Sequence, residues 1–310
     1  MFDNVVQEQV NQIRAFINNP RRHYELRQNK ALFSQLCSSL DVIEDTEEAI
    51  TAYVAKEFGE SISAHYLAVY GLLQAIYVQQ DAVISLCEAL GIKEKINNYP
   101  KLKEIREIRN DTIGHPTKRD QRKPVSYHHI SRITLDQSGF KLISYFADGS
   151  PVQIRDIDIS GLIIEQRKFI STILATLINN LDAEEKAHKA RFRMEKLVDI
   201  FHPTLGYNFE KIFEGIFRDD YAKFAAVNLE LVKETVSRFR EAIGRRNMEF
   251  YETLQDEYEL IEYAITHLDN YYRGIPGIEK PAAQIYAAFL QNQVDHLEAY
   301  AREIDDEYAE

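Results

Sequence analysis

Apolar positions recur with a helical period along most of the chain. Val6, Val10, Ile13 and Ile17 predict a first helix over residues 3–18, ending at Asn18-Asn19-Pro20. After a basic turn, Leu32, Leu36 and Leu40, followed by Ile50, Tyr53 and Val54, predict helical segments separated near Asp41 to Thr46. Ile62, Tyr66, Val69, Leu73, Ile76, Ile84 and Cys87 form the clearest stripe, a long helix closed by Gly91 as its C-terminal cap. This helix is the expected spine of a first domain. Another helix starts near Pro100, whose missing N–H suits a first turn. It ends at Gly114-His115-Pro116, because the residue before a proline is pushed out of the helical region. Its apolar face is Leu102, Ile105 and Thr112/Ile113, with Arg109 between them on the same face.

The period then changes from that of a helix to that of a strand. YHHISRITL, a turn at Asp136 to Gly139, FKLISYF, a turn at Asp148-Gly149 and PVQIRDIDI predict a three-stranded antiparallel meander over residues 125–159. Such a sheet needs a helical face to cover it. Beyond Ser160 the pattern is helical again, over residues 161–181, 184–200, 208–217, 220–246, 247–272 and 281–306. The expected fold is mainly α: an antiparallel helical bundle with the meander inserted, followed by a C-terminal helical bundle. A boundary near 183 divides the chain into 1–183 and 184–310. No solenoid repeat or low-complexity linker interrupts it.

Composition narrows the function classes. The chain has 310 residues and is 45% hydrophobic, enough to bury a core in one large or two medium domains without metal or disulfide staples. Cys37 and Cys87 both lie in apolar helical patterns and read as small core residues in a reducing compartment. The N-terminus has acids early and no basic region leading into an apolar run, so no signal peptide is expected. No run reaches the roughly 18 apolar residues of a membrane span, so a cytoplasmic protein without membrane contact is expected. A net charge of −12 disfavours coating nucleic acid with the whole surface. The charge is segregated, however, with cations at Arg21, Arg22, Arg27 and Lys30 and again at Lys118, Arg119, Arg122 and Lys123.

The second basic cluster follows IREIRNDTIGHPTKRD, in which Arg109, Asn110 and His115 stand at a helix end. Arg122 with His128 repeats the same spacing, but Pro124 interrupts it and it runs into a strand, so no helix presents it. The ordinary structural roles remain open for the first pair: Arg109 can pair with a carboxylate such as Asp81, and His115 can cap the last carbonyls of its helix. The pair also suits RNA cleavage. An imidazole, with a reference pKa of about 6.5, takes or gives a proton at neutral pH, and a guanidinium fork holds two phosphate oxygens. Asn110 is placed to orient the phosphate or the imidazole.

Arg109-Asn110-Asp111-Thr112-Ile113-Gly114-His115 resembles the active-site motif of the HEPN superfamily (higher eukaryotes and prokaryotes nucleotide-binding domain). Its ribonuclease members carry Arg, four to six residues and His near a helix end, often with Asn, Asp or His directly after the Arg. The preceding helix, with GLLQAIYVQQDAV, is similar to the packing helix of that family. The resemblance covers residues 1–183, with the meander as an insertion. It implies a metal-independent endoribonuclease without cofactor, a toxin or phage-defence effector that cuts RNA. It also implies a homodimer with a composite site and an antitoxin or trigger protein as further partner. Arg109, Asn110 and His115 would be catalytic, with Asp81 and Asp111 supporting them. Lys118, Arg119, Arg122 and Lys123 would track the RNA backbone, and Tyr127, His128 and His129 could stack on a base. The alternative is a non-catalytic dimerisation or nucleotide-binding scaffold whose C-terminal half binds a protein.

Other chemistries lack their minimum parts: there is no GxxxxGK[ST], GxGxxG after a strand, HExxH, GxSxG or paired Cys set.

Overall fold

The structure, a computed structural model, describes residues 4–121, 123–249 and 252–309. The chain is mainly helical with one small antiparallel sheet. It divides into two compact units, Met1–Asp182 and Ala183–Glu310, each with its own apolar core.

In the first unit, α1 (Val5–Asn18) buries Val6, Val10, Ile13 and Ile17, and α2 (Pro20–Arg27) follows with proline in its first turn. Then come α3 (Lys30–Val54), α4 (Ile62–Ala89) and α5 (Pro100–Arg109). Asn29 and Ser61 cap α3 and α4, their side chains accepting from the N–H of Leu32 and Ala64, a contribution of about 1 kcal/mol each. Gly91 takes φ +74° just past α4, the left-handed conformation that lets the chain turn away.

The break expected near Asp41 to Thr46 is absent, because α3 runs through it. Ile43 is fully buried, Thr46 returns its hydroxyl to the carbonyl of Val42, and Arg14 of α1 pairs with Asp41 and Glu44. The acids that look like a loop signal are the solvated face of a helix.

The sheet follows: β1 (Ser126–Ile130), β2 (Gly139–Phe146) and β3 (Gln153–Asp158), antiparallel in that order. Tyr127 stands opposite Tyr145 and Ile143 opposite Ile154. One face, with Ile130, Phe140, Leu142 and Ile157, belongs to the first core. Tyr127, His129 and Tyr145 on the other face are exposed.

Helix α6 (Ile159–Phe192) carries the chain from the first unit into the second. A break after 181 and a separate helix over 184–200 were expected. Instead α6 continues to Phe192, and only a short turn at Val198–Ile200 follows. Residues 182–187 contain Asp, Ala, Glu and Lys but no Gly or Pro, so nothing stops the helix even where it has no apolar face. The second unit then stacks α7 (Leu205–Phe217), α8 (Ala222–Arg245), α9 (Glu252–Tyr272) and α10 (Lys280–Ala309) around Ile212, Phe239, Ile261, Leu268 and Leu290. Gly215 lets α7 approach α8, since a Cβ there would lie 2.3 Å from that of Ala225. None of the described helices is long and apolar enough to cross a membrane.

Candidate active site

Helix α5 buries Leu102, Ile105 and Ile108. The core position is therefore Ile108, and Arg109 lies half-buried on the flank rather than on the apolar stripe. After Arg109 the helix widens into a π-turn, Asn110–Gly114, closed by the His115 N–H donating to the Asn110 carbonyl over 2.8 Å. Such one-turn widenings often mark functional sites. Thr112 stays buried and bonds back to the Ile108 carbonyl, which anchors the wide turn.

α4 and α5 run antiparallel, and their facing polar residues hold Arg109. Its Nη2 donates to Gln74 Oε1 over 2.7 Å, its Nε to the same oxygen over 3.2 Å, and its Nη1 to Asn110 Oδ1 over 3.1 Å. The guanidinium lies over the Tyr77 ring, 4.5 Å from its centroid. It also lies across Gly114, where a Cβ would meet Nη1 at 2.7 Å. Among the described residues every acceptor on Arg109 is an amide oxygen, so the fork is oriented while its charge meets no carboxylate.

His115 is exposed at the end of the turn. Next to it, Lys118 bonds Asp120 over 3.1 Å and holds that carboxyl below the usual carboxylate range, with a smaller attraction from His115. Arg109, Asn110 and His115 thus come from one continuous helix end.

Several other expectations are corrected. Asp81 pairs with Arg106, one turn before Arg109, because the antiparallel register sets Gln74 against Arg109 and Asp81 against Arg106. Arg119 is not a surface cation: it is 6% exposed and bonded to Asp111 and, over 2.6 Å, to Glu107. Asp111 faces Arg119, His128 at 3.5 Å and Arg155 at 3.9 Å, so it clamps the loop and the sheet to the helix end. His128 is buried between the hydroxyls of Ser126 and Ser144 and is closed to bases. Lys118 and Lys123 are exposed, and Arg122 lies outside the described residues.

The sequence reading missed Gln74, Tyr77, Gln80 and Arg106. The Arg106 guanidinium also covers Tyr77, 4.4 Å from the centroid, and its Nε donates to Gln80 over 2.8 Å. From Gln80 a buried polar chain continues through Gln166 and Gln79 to Glu47, at 2.8, 2.9 and 3.0 Å, then to Arg167 at 2.7 Å, which donates to Thr51 over 3.1 Å. The spacing of Gln74, Tyr77 and Asp81 against Arg106 and Arg109 was a signal for a polar helix–helix seam.

Cys87 is fully buried, which pushes its thiol up to about 11, and Cys37 is half-buried; both are free. Among the described residues no group of three His, Cys, Asp or Glu is placed to hold a metal ion. No protein-family model, curated protein or solved structure matches the chain.

Proposed function

We propose that the chain is a HEPN-like endoribonuclease, acting as a toxin or phage-defence effector, that cleaves RNA through the substrate's own 2′-hydroxyl without a metal. The observation that carries the reading is the Arg109 fork, held over Gly114 by the neutral oxygens of Gln74 and Asn110, on the turn that ends in exposed His115. A phosphate reaching that turn meets a bidentate cation and an imidazole.

One imidazole takes the 2′-hydroxyl proton as the 2′-oxygen attacks phosphorus. Arg109 holds the charge that gathers on the non-bridging oxygens, and Asn110 keeps the fork in place. The P–O5′ bond breaks, and an imidazolium returns a proton to the leaving 5′-oxygen. The products are a 2′,3′-cyclic phosphate and a 5′-hydroxyl. Base and acid are most simply the two His115 side chains of a homodimer. In support, the α4 surface leading to Gln74 exposes Leu67 at 78% and Tyr70 at 43%, an apolar stripe suited to a second copy.

Purified wild type is expected to cut mixed cellular RNA in EDTA and leave cyclic-phosphate ends. Arg109→Ala and His115→Ala, each folded as wild type, are expected to lose about 10²–10⁴-fold in rate. Equal cutting by all three forms sinks the assignment. The scaffold reading draws on Arg119, which a phosphate-tracking loop would expose and which is buried against Asp111 and Glu107 instead. RNA left intact by a homodimer, with no effect on growth when it is expressed, favours that reading.

A further inference from the structure

The outer face of the meander is aromatic, and among the described residues no helix covers it. Tyr127 is 39% exposed, Tyr145 44% and Ile154 61%. His129 and Tyr145 are already stacked, their centroids 5.7 Å apart and their planes 14° from parallel. The register puts Tyr127 opposite Tyr145, His129 opposite Ile143 and Ile143 opposite Ile154, so these side chains share one side of the sheet.

The segment after His115 extends this sheet. The His128 N–H donates to the Pro116 carbonyl over 2.7 Å, and Arg119 and Ser126 exchange backbone hydrogen bonds. Residues 116–119 therefore lie antiparallel along the outer edge of β1, which brings Lys118 beside that edge and His115 towards its His129 end. Lys118, Lys123, Arg132 and Lys141 are exposed on or beside the sheet, as are Asp120, Asp136, Asp148, Asp156 and Asp158, and Lys118 and Lys141 pair with Asp120 and Asp156; the segment 116–158 carries seven Lys and Arg against five Asp in a chain of net charge −12.

From this juxtaposition we infer that the outer face of the meander is a stacking platform for single-stranded RNA, which delivers an unpaired strand along Tyr127, Tyr145 and His129 to His115. Flat rings accept any base face, and the flanking cations follow the phosphates. A duplex buries its base faces and cannot use such rings, so unpaired RNA is the substrate class. The inference rests on the ribonuclease reading for what happens at His115, but binding is measurable without it.

The test uses the full chain carrying His115→Ala and a labelled single-stranded oligoribonucleotide of about twelve nucleotides, followed by fluorescence anisotropy. Tyr127→Ala and Tyr145→Ala are each expected to weaken binding about 5- to 150-fold, the loss of one stacked base. Tyr145→Phe is expected to bind as the parent, as is Tyr207→Ala, a control on the second unit. An RNA duplex is expected to compete poorly. In the cleaving protein the tyrosine variants are expected to raise KM with kcat nearly unchanged.

Unchanged binding and KM in both tyrosine variants overturn the platform, and cleavage that still depends on His115 then leaves the ribonuclease reading standing. Tyrosine-dependent RNA binding with no cleavage by any form keeps the platform and overturns the ribonuclease. A chain that binds no RNA, or binds duplex equally well, overturns the platform and leaves the face to a protein partner.

Discussion

The two units bury different things. The second holds an almost purely apolar interior, in which Asn208, Asn228 and Arg246 are the buried polar or charged residues among those described. The first threads Glu47, Gln79, Gln80, Gln166 and Arg167 through its helices and clamps Asp111, Arg119 and His128 beneath its sheet. A buried polar chain is costly unless every member is satisfied, and it fixes geometry better than apolar contacts do. The unit that holds the Arg109 guanidinium between Gln74 and Asn110 is the one that carries such a chain. Charge is accordingly the weak point of the first unit and volume that of the second.

The largest expected effect is on the clamp. Arg119→Ala leaves Asp111 buried without its main partner and is expected to cost about 3–5 kcal/mol, read by urea denaturation. An unchanged midpoint would show that the loop is held by something else. Next is Gly114→Ala, whose added methyl displaces the Arg109 fork while its flexible end gives way. Cleavage is expected to fall about 100-fold, about 2.7 kcal/mol in the barrier, with stability within about 1 kcal/mol of wild type. A variant that unfolds instead, or cuts normally, breaks the link between Gly114 and the fork.

Gly215→Ala is the matching probe of the second unit. Its methyl has no room between α7 and α8, so a loss of about 1–3 kcal/mol is expected, with RNA cleavage unaltered at temperatures where the chain stays folded. Loss of cleavage there would mean that the site depends on the second core. The smallest effect concerns the thiols: with its thiol pushed up to about 11 by burial, Cys87 should resist a disulfide reagent at pH 8 until urea is added, while Cys37 reacts first. Fast labelling of both would show that the polar seam leaves the first core open.

Much of this architecture was legible in single-face periodicity. The α4 stripe, the switch to period two at 126 and the turn glycines are local signals, and the elements follow them. The misreadings share one cause: a polar residue type does not say whether it meets water or a partner from elsewhere in the chain. Asp41 and Glu44 resembled a loop because Arg14 lies 27 and 30 residues away. Arg119 resembled a surface cation because Glu107 and Asp111 hold it from α5 and the turn after it. At the candidate site, Arg109, Asn110 and His115 were proposed from sequence, but Gln74, Tyr77 and Gly114 as the cradle of the fork required the α4–α5 register.

The amide at Gln74 has a consequence for how such a site could be silenced. It differs from a carboxylate by one terminal group, and Gln74→Glu would set an internal anion on the guanidinium that, on the ribonuclease reading, meets the phosphate. The chain would then carry its own competitor, tethered at high effective concentration. On the same reading it would retain its fold while losing the substrate. An arginine held by neutral oxygens is thus one codon change from a decoy of the same shape, and on the ribonuclease reading that decoy would be a safe form in which to search for a restraining partner.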